Sequence, residues 1–260
     1  MLKNINVIIP ASGAGTRFGS EVPKQFIKLQ GKTILERTIS RFNTLDFINE
    51  IAVTVPEGFE NEVKAYGFDK VRYIISGKKT RAESVYEAIK KFAPQTFNIQ
   101  SCTPKPKVSA GNCEAVSWHI KKFAKQSADT ILIHDGVRPF VSIETIEAVA
   151  HAAIKNGASI AAVPMTDTIK EVNTNHTIKN TPERSKLWRA QTPQGFKFDI
   201  IFDAYKKAYD ENYLFDSTDD SSLVEKLGVS VSVVSDKYEN IKITTPLDFI
   251  LARELMDTIQ

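Results

Sequence analysis

Arg17 and Lys24 lie seven residues apart around a glycine-rich loop. The loop is Pro10-Ala11-Ser12-Gly13-Ala14-Gly15-Thr16-Arg17-Phe18-Gly19, and the chain runs on to Pro23-Lys24-Gln25. Glycines let a backbone turn tightly and bring its N–H groups near phosphate oxygens. Adding an Arg and a Lys to such donors suits a triphosphate better than a neutral ligand. A P-loop would need Gly-x4-Gly-Lys-Ser/Thr, and Gly13 and Gly15 have no such Lys-Ser/Thr partner. A dinucleotide fingerprint would need a third glycine where Phe18 stands, and an acidic residue ending the second strand, where Val53-Thr54-Val55-Pro56 is apolar. The competing structural reading is a glycine-rich turn with incidental cations.

Further charged or hydroxyl-bearing loops follow other apolar runs. Ser76-Gly77-Lys78-Lys79-Thr80-Arg81-Ala82-Glu83-Ser84 carries hydroxyls able to read a base or ribose, and also reads as a plain helix N-cap at Lys79 or Thr80. His134-Asp135-Gly136-Val137-Arg138-Pro139 places at a strand end an aspartate able to hold Mg²⁺ beside phosphates, with Arg138 three residues on. The same residues also make an Asp-Gly turn, and His134 reads as a packing residue rather than a ligand. Beyond lie Pro164 to Lys170, then Arg184, Arg189 and Thr192-Pro193-Gln194. Ser217-Thr218-Asp219-Asp220-Ser221 follows, where Thr218 or Ser217 reads as an N-cap with Glu225 on the helix beyond. Last comes Asn240-Ile241-Lys242-Ile243-Thr244-Thr245-Pro246. A lysine between apolar strand positions faces away from them, either into the site or into solvent.

Alternating strands and helices must position these loops. The strand candidates are Asn6–Pro10, Glu50–Val55, Val71–Ile75, Thr130–His134 and Ser159–Pro164. The helix candidates are Thr33–Phe42, Arg81–Phe92, Ile143–Lys155, Asp199–Tyr209, Asp219–Leu227 and Pro246–Met256. This order implies a mostly parallel sheet with helices on both faces and ligands at the carboxyl ends of the strands. The loops after Ile9, Ile75, Ile133 and Val163 are therefore expected to converge on one crevice. Residues 94–126 break the rhythm, with Pro104, Pro106, Gly111 and a short helix around Glu114–Lys125, and read as a surface insertion in an otherwise single domain. That stretch holds five lysines and one acid, a basic partner loop or, more simply, a solvated one. Asp167–Gln191 reads as a projecting hairpin, with Thr168 to Val172, a turn at Asn173–His176 and Thr177-Ile178-Lys179. An isolated hairpin is marginal in water, so it is expected to pack on a second subunit.

The chain has 260 residues, 42% of them hydrophobic, and a net charge of +3. That charge is too weak to imply nucleic-acid binding. No apolar run approaches the ~18 residues needed to span a bilayer, and the first residues carry no signal-peptide pattern, so a cytoplasmic location without a membrane partner is expected. Two cysteines, Cys102 and Cys113, make no disulfide framework, and the four histidines are too scattered for zinc.

Seven motifs occur in order: Gly13-x-Gly15-x-Arg17 with Pro23-Lys24-Gln25, Arg81-x-x-Ser84-Val85, His134-Asp135-x-x-Arg138-Pro139, Asp167-Thr168-x-Lys170, Thr192-Pro193-Gln194-x-Phe196, Thr218-Asp219-Asp220, and Asn240-Ile241-Lys242-Ile243-Thr244. Together they resemble the 2-C-methyl-D-erythritol 4-phosphate cytidylyltransferases of the non-mevalonate isoprenoid route, over nearly the whole chain except 94–126. The resemblance implies a Rossmann-like nucleotidyltransferase fold and a homodimer joined by the projecting arm. It implies CTP as co-substrate and Mg²⁺ as metal. Pro10, Ala11, Ser12, Gly13, Ala14 and Gly15 would hold the nucleotide, and Gly77, Arg81 and Ser84 would contact cytosine and ribose. Arg17 and Lys24 would bind the triphosphate and, with Lys242, act in catalysis. Asp135 would hold the metal and touch the substrate. Arg138, Thr168, Thr192, Thr218 and Lys242 would surround the methylerythritol phosphate, with Arg184 reaching it from the neighbouring subunit. Three departures stand out. Ser76-Gly77-Lys78-Lys79 replaces the usual Gly-Gly and acidic residue, Gly136-Val137 follows Asp135 where Ala-Ala or Ala-Val is usual, and the insertion is foreign to the compact pattern. Ribitol 5-phosphate cytidylyltransferases share several motifs; Thr218-Asp219-Asp220 with Glu225 favours the methylerythritol enzymes. A dinucleotide-dependent reductase lacks its glycine and acid here. A silent sugar-phosphate-binding protein is disfavoured because the expected charged positions are filled.

Overall fold

The structure is a computed structural model and describes residues 2–13, 22–93 and 129–258. In chain order the elements are β1 (Ile5–Pro10), a 3-10 turn (Lys24–Phe26), β2 (Lys28–Leu29), β3 (Lys32–Thr33), α1 (Ile34–Asn43), β4 (Ile48–Val55), α2 (Glu60–Ala65), β5 (Val71–Ser76) and α3 (Arg81–Lys91). From residue 129 on come β6 (Thr130–Ile133), α4 (Ile143–Asn156), β7 (Ala158–Pro164), β8 (Glu171–Val172), β9 (Ile178–Asn180), β10 (Trp188–Lys197), α5 (Phe198–Asp210), α6 (Asp220–Lys226), β11 (Ser232–Ser235) and α7 (Pro246–Thr258). Ala14, Gly15, Arg17, both cysteines and the whole of 94–126 lie outside the described residues.

Seven strands form one sheet in the order β11-β7-β10-β6-β1-β4-β5. Every pairing is parallel except those of β10, which runs antiparallel between β6 and β7. All six residues of β1 are buried, as a strand covered on both faces requires. One face packs against α3, α5 and α6 through Ile8, Val85, Ile89, Phe196, Tyr205 and Leu223. The other packs against α1 and α4 through Val7, Ile9, Leu35, Phe42, Ile146 and Val149. A third cluster joins α7 to Ile34, Val137, Phe140 and Ile243. This last contact seats the loop that carries Lys242.

Several expectations change. β10 was not foreseen as a strand, because Gln191-Thr192-Pro193-Gln194-Gly195 has no apolar run. Pro193 has no N–H for a ladder, and the β10–β7 pairing shifts register between Ala190 and Gln194, around that proline. The short strands β2, β3 and β11 and the helix α2 were likewise unforeseen. Asn240 to Thr245 is irregular chain rather than strand. The α6 cap is neither Ser217 nor Thr218 but Asp219, whose carboxylate accepts from Ser222 N at 3.0 Å. The α3 cap is Thr80, in a reciprocal capping box with Glu83. β10 separates β7 from β6, so the loop after β7 leaves for the arm, where Met165 N donates to Leu187 O at 3.0 Å. In the arm, β8 and β9 pair antiparallel, and every residue of both is exposed.

Candidate active site

The loops after β1, β5 and β6 meet at the carboxyl end of the sheet. Gly77 N donates to Val55 O at 2.7 Å, and Gly136 N donates to Pro10 O at 3.1 Å. Both glycines are demanded by crowding. A Cβ on Gly77 would lie 2.2 Å from Ser12 Cβ, and one on Gly136 would lie 2.8 Å from Ala11 Cβ. Ser12 Oγ donates to Ser84 Oγ at 3.1 Å, and Ser84 Oγ also accepts from Lys78 N at 2.9 Å. Gln25 braces the other side of this cleft. Its Nε2 donates to Ala11 O at 2.6 Å and to Gly13 O at 3.1 Å. Lys24 is the preceding residue and opens the 3-10 turn, so this brace draws it alongside the glycine loop.

Asp135, just past β6, gathers the cations. Its Oδ2 lies 2.9 Å from Lys242 Nζ and 3.2 Å from Arg138 Nε, and its Oδ1 lies 3.6 Å from Arg81 Nε. Burial alone would favour the protonated acid. Arg81, Lys242 and Arg138 outweigh it and hold the carboxyl far below the usual carboxylate range. Lys242 is the most open of the three, with its side chain 41% exposed. Its loop is fixed on both sides. Asn240 Nδ2 donates to Thr192 O at 2.8 Å and to Asp236 Oδ2, and Ile243 N donates to Val137 O at 3.0 Å. Arg138 Nη1 and Gln191 Nε2 both donate to Asn240 O.

Arg81, the first residue of α3, makes a two-pronged contact with buried Asp220. Nη1 lies 2.9 Å from Oδ1 and Nη2 lies 2.7 Å from Oδ2. Tyr205 donates its hydroxyl to Asp220 Oδ1. Burial lowers the affinity of Arg81 for its proton, but Asp220 and Asp135 raise it further, so the guanidinium stays charged. Burial, then the Asp220 charge, pushes the Tyr205 phenol well above its ordinary range.

Behind Asp135 stands a neutral histidine. His134 is fully buried and packs at a tilt on Phe42, as a packing residue should. Burial lowers its pKa to about 4, against the opposing pull of the Arg138 carbonyl and Asp135. A single set of proton positions satisfies the group. His134 Nε2–H donates to Arg138 O, Thr192 Oγ–H donates to His134 Nδ1, and Thr192 Oγ accepts from Asp135 N at 3.1 Å.

Thr192 therefore lies beneath Asp135 with its hydroxyl engaged. Thr168 and Thr218 are exposed. Arg184 lies on the arm and donates to Thr166 O at 2.8 Å. Among the described residues, no three His, Cys, Asp or Glu side chains form a metal cage. Asp135, ionised at a strand end, fits a Mg²⁺ that takes one protein carboxylate and completes its shell with substrate phosphates and water. Sequence reasoning did not single out Gln25, Gln191, Asn240 or Tyr205. Gln25 and Asn240 sit inside quoted motifs, a signal that could have found them, whereas Tyr205 on a helical apolar face reads only as core.

The family model for IspD, 2-C-methyl-D-erythritol 4-phosphate cytidylyltransferase, matches residues 5–100 and 110–258. The chain belongs to this family. Between residues 5 and 258 the match lapses only at 101–109, so most of 94–126, expected to be foreign to the family, falls inside its pattern. The cytidylyltransferase of Alkaliphilus oremlandii is 37% identical over 262 residues, covering 99% of this chain and 97% of that one. That of Clostridioides difficile is 39% identical over 257 residues, covering 97% and 93%. Among solved structures, 4-diphosphocytidyl-2C-methyl-D-erythritol synthase of Anaerococcus prevotii superposes with a TM-score of 0.76 at 30% identity, covering 98% and 96%. The Francisella tularensis 2-C-methyl-D-erythritol 4-phosphate cytidylyltransferase gives 0.73 at 30%, covering 97% and 99%. The expected fold class and enzyme class hold: a mostly parallel α/β sheet carrying a cytidylyltransferase site. No helix among the described residues is long and apolar enough to cross a membrane.

Proposed function

We propose that the chain joins CTP to 2-C-methyl-D-erythritol 4-phosphate, giving 4-diphosphocytidyl-2-C-methyl-D-erythritol and pyrophosphate, and that it works as a cytoplasmic homodimer. The observation that carries this reading is the ring of Lys242, Arg138 and Arg81 around one ionised aspartate, beside the Ser12–Gly77–Ser84 cleft. The strands β1 and β6, which end in the two halves of the site, are neighbours in the sheet.

The methylerythritol phosphate is already an anion at neutral pH, so its oxygen needs no general base. That oxygen forms a bond to the α-phosphorus of CTP as the bond from the α-phosphorus to the bridging oxygen breaks, and pyrophosphate leaves with that oxygen. The barrier is the approach of two anions and the spreading of charge at phosphorus, and fixed cations lower it. The backbone from Pro10 to Gly15 would cradle the triphosphate, with Arg17 and Lys24 on its oxygens. Gly77 and Ser84 would take the base and ribose, with Arg81 at the boundary between the two clefts. Lys242, Arg138, Thr168 and Thr218 would face the second phosphate substrate, with Thr192 acting from beneath Asp135. Arg184 on a second copy's arm would complete the pocket. Asp135 would give one oxygen to Mg²⁺, which when bound supplies charge neutralisation on the triphosphate.

The test is pyrophosphate release on mixing the protein with CTP, Mg²⁺ and either alcohol phosphate. Release with methylerythritol phosphate and little with ribitol 5-phosphate is expected. Release only with ribitol 5-phosphate, or with neither, contradicts the reading.

A further inference from the structure

We propose that Asp220, seated by Tyr205, is a positioning residue that acts on the reaction through Arg81. The inference rests on the function proposed above and goes beyond the residues that touch substrate. A guanidinium has five N–H donors in one rigid plane. Asp220 takes two of them in a fork, at 2.9 and 2.7 Å. Fixing that fork fixes where the third nitrogen points. Nε then stands 3.6 Å from Asp135 Oδ1, close enough for an ion pair and too far for a hydrogen bond.

Asp220 thus keeps Arg81 from folding onto Asp135. The guanidinium charge stays at the crevice, and Lys242 and Arg138 remain on Oδ2. Asp220 is itself held in place by its surroundings. It is fully buried at the first turn of α6 and takes the Tyr205 hydroxyl on Oδ1. Tyr205 is 1% exposed and stacks on Tyr86 with ring centres 5.9 Å apart, so its hydroxyl cannot leave that direction without disturbing the core. The start of α6 is pinned independently, by Gln194 Nε2 donating to Asp219 Oδ2 at 2.8 Å and Ser221 N donating to Gln194 Oε1 at 2.9 Å. α5, α6 and β10 therefore act together on the first residue of α3. Displacing a catalytic charge by about 1 Å can cost on the order of 10²-fold in rate.

The test uses Tyr205→Phe, Asp220→Asn, Arg81→Ala and the Tyr205→Phe/Arg81→Ala pair in the full chain, with pyrophosphate release, KM for each substrate and thermal midpoint measured on folded protein. Tyr205→Phe is expected to lower kcat about 10-fold, and Asp220→Asn about 10²-fold, with the KM for methylerythritol phosphate nearly unchanged and any rise in the KM for CTP smaller than the fall in kcat. In the Arg81→Ala background, Tyr205→Phe is expected to change kcat less than about 2-fold, because its route of action is gone. A lowered midpoint with wild-type kcat in Tyr205→Phe overturns the proposal, as does a Tyr205→Phe loss that multiplies undiminished onto Arg81→Ala. Should Asp220→Asn fail to fold, the Tyr205→Phe cycle decides alone. A wild-type protein inert with CTP and methylerythritol phosphate contradicts the function itself; an active wild type with an unaffected Tyr205→Phe contradicts only the positioning role.

Discussion

His134 shows how a residue without a reactive role can still govern the site. Its Nδ1 must be unprotonated for Thr192 to donate there, and with the hydroxyl proton so placed the Thr192 oxygen still accepts from Asp135 N. Burial drives the ring pKa down to about 4. The sign follows from linkage: a histidine whose folded pKa lies below the unfolded value of about 6.5 costs stability as pH falls through 6.5, and the loss levels off near the folded pKa. NMR titration of the ring is expected to give a midpoint near 4, with the neutral form persisting at pH 5.5. A midpoint near 6.5 contradicts the arrangement. Asp135 and Arg138 are legible in the sequence as charges at a strand end, and Lys242 as a lysine set between two isoleucines, although the strand expected around it is irregular chain. Tyr205 was not, because a tyrosine whose ring packs in the core and whose hydroxyl meets a buried carboxylate has the same spacing as any core aromatic.

At the scale of elements, apolar runs gave away β1, β4, β5, β6 and β7, and amphipathic spacing placed the longer helices to within about a turn. β10 escaped because, apart from Phe196, its buried part is polar, glycine or proline and is held largely by hydrogen bonds. Gln194 is 1% exposed and spends its amide on Asp219 and Ser221, and Gln191 spends its own on Asn240 O. Polar residues whose partners lie 25 to 49 positions away in sequence look like a loop when read locally. The glycine at 77 is legible in retrospect as a point where two loops touch. Gly77→Ala must push against Ser12 Cβ at 2.2 Å, so the Ser12–Ser84 contact should open. CTP affinity measured by calorimetry is expected to fall about 10-fold or more, a loss of about 1.4 kcal/mol. Unchanged affinity would place the nucleotide elsewhere.

For the whole molecule, the sheet brings its active loops to one end and sends the arm outwards. β8 and β9 expose Val172 and Ile178 at 53% and 62%, an apolar pair on a ribbon too small to stand alone. A second copy covering them would bring Arg184 towards the neighbouring site. Sedimentation at micromolar concentration is expected to give a dimer for the wild type and a monomer for Val172→Asp/Ile178→Asp, with activity lost alongside. A monomeric, active wild type would remove the arm from the account. The arm is readable as a projecting hairpin because its polar and apolar residues alternate without a core-sized apolar run, whereas the proposed second copy would leave no trace in a single chain's sequence.

The claim beneath all of this is that fixed positive charge at the crevice drives one phosphate onto another. Lys24, held beside the glycine loop by the Gln25 brace, is the described residue that tests it best. The decisive measurement is the single-turnover rate of pyrophosphate release by Lys24→Ala with saturating CTP, Mg²⁺ and methylerythritol phosphate. A rate lower by on the order of 10²-fold or more in a normally folded protein is the expected result, in line with removal of a transition-state electrostatic donor. A folded Lys24→Ala protein turning over at close to the wild-type rate would contradict it.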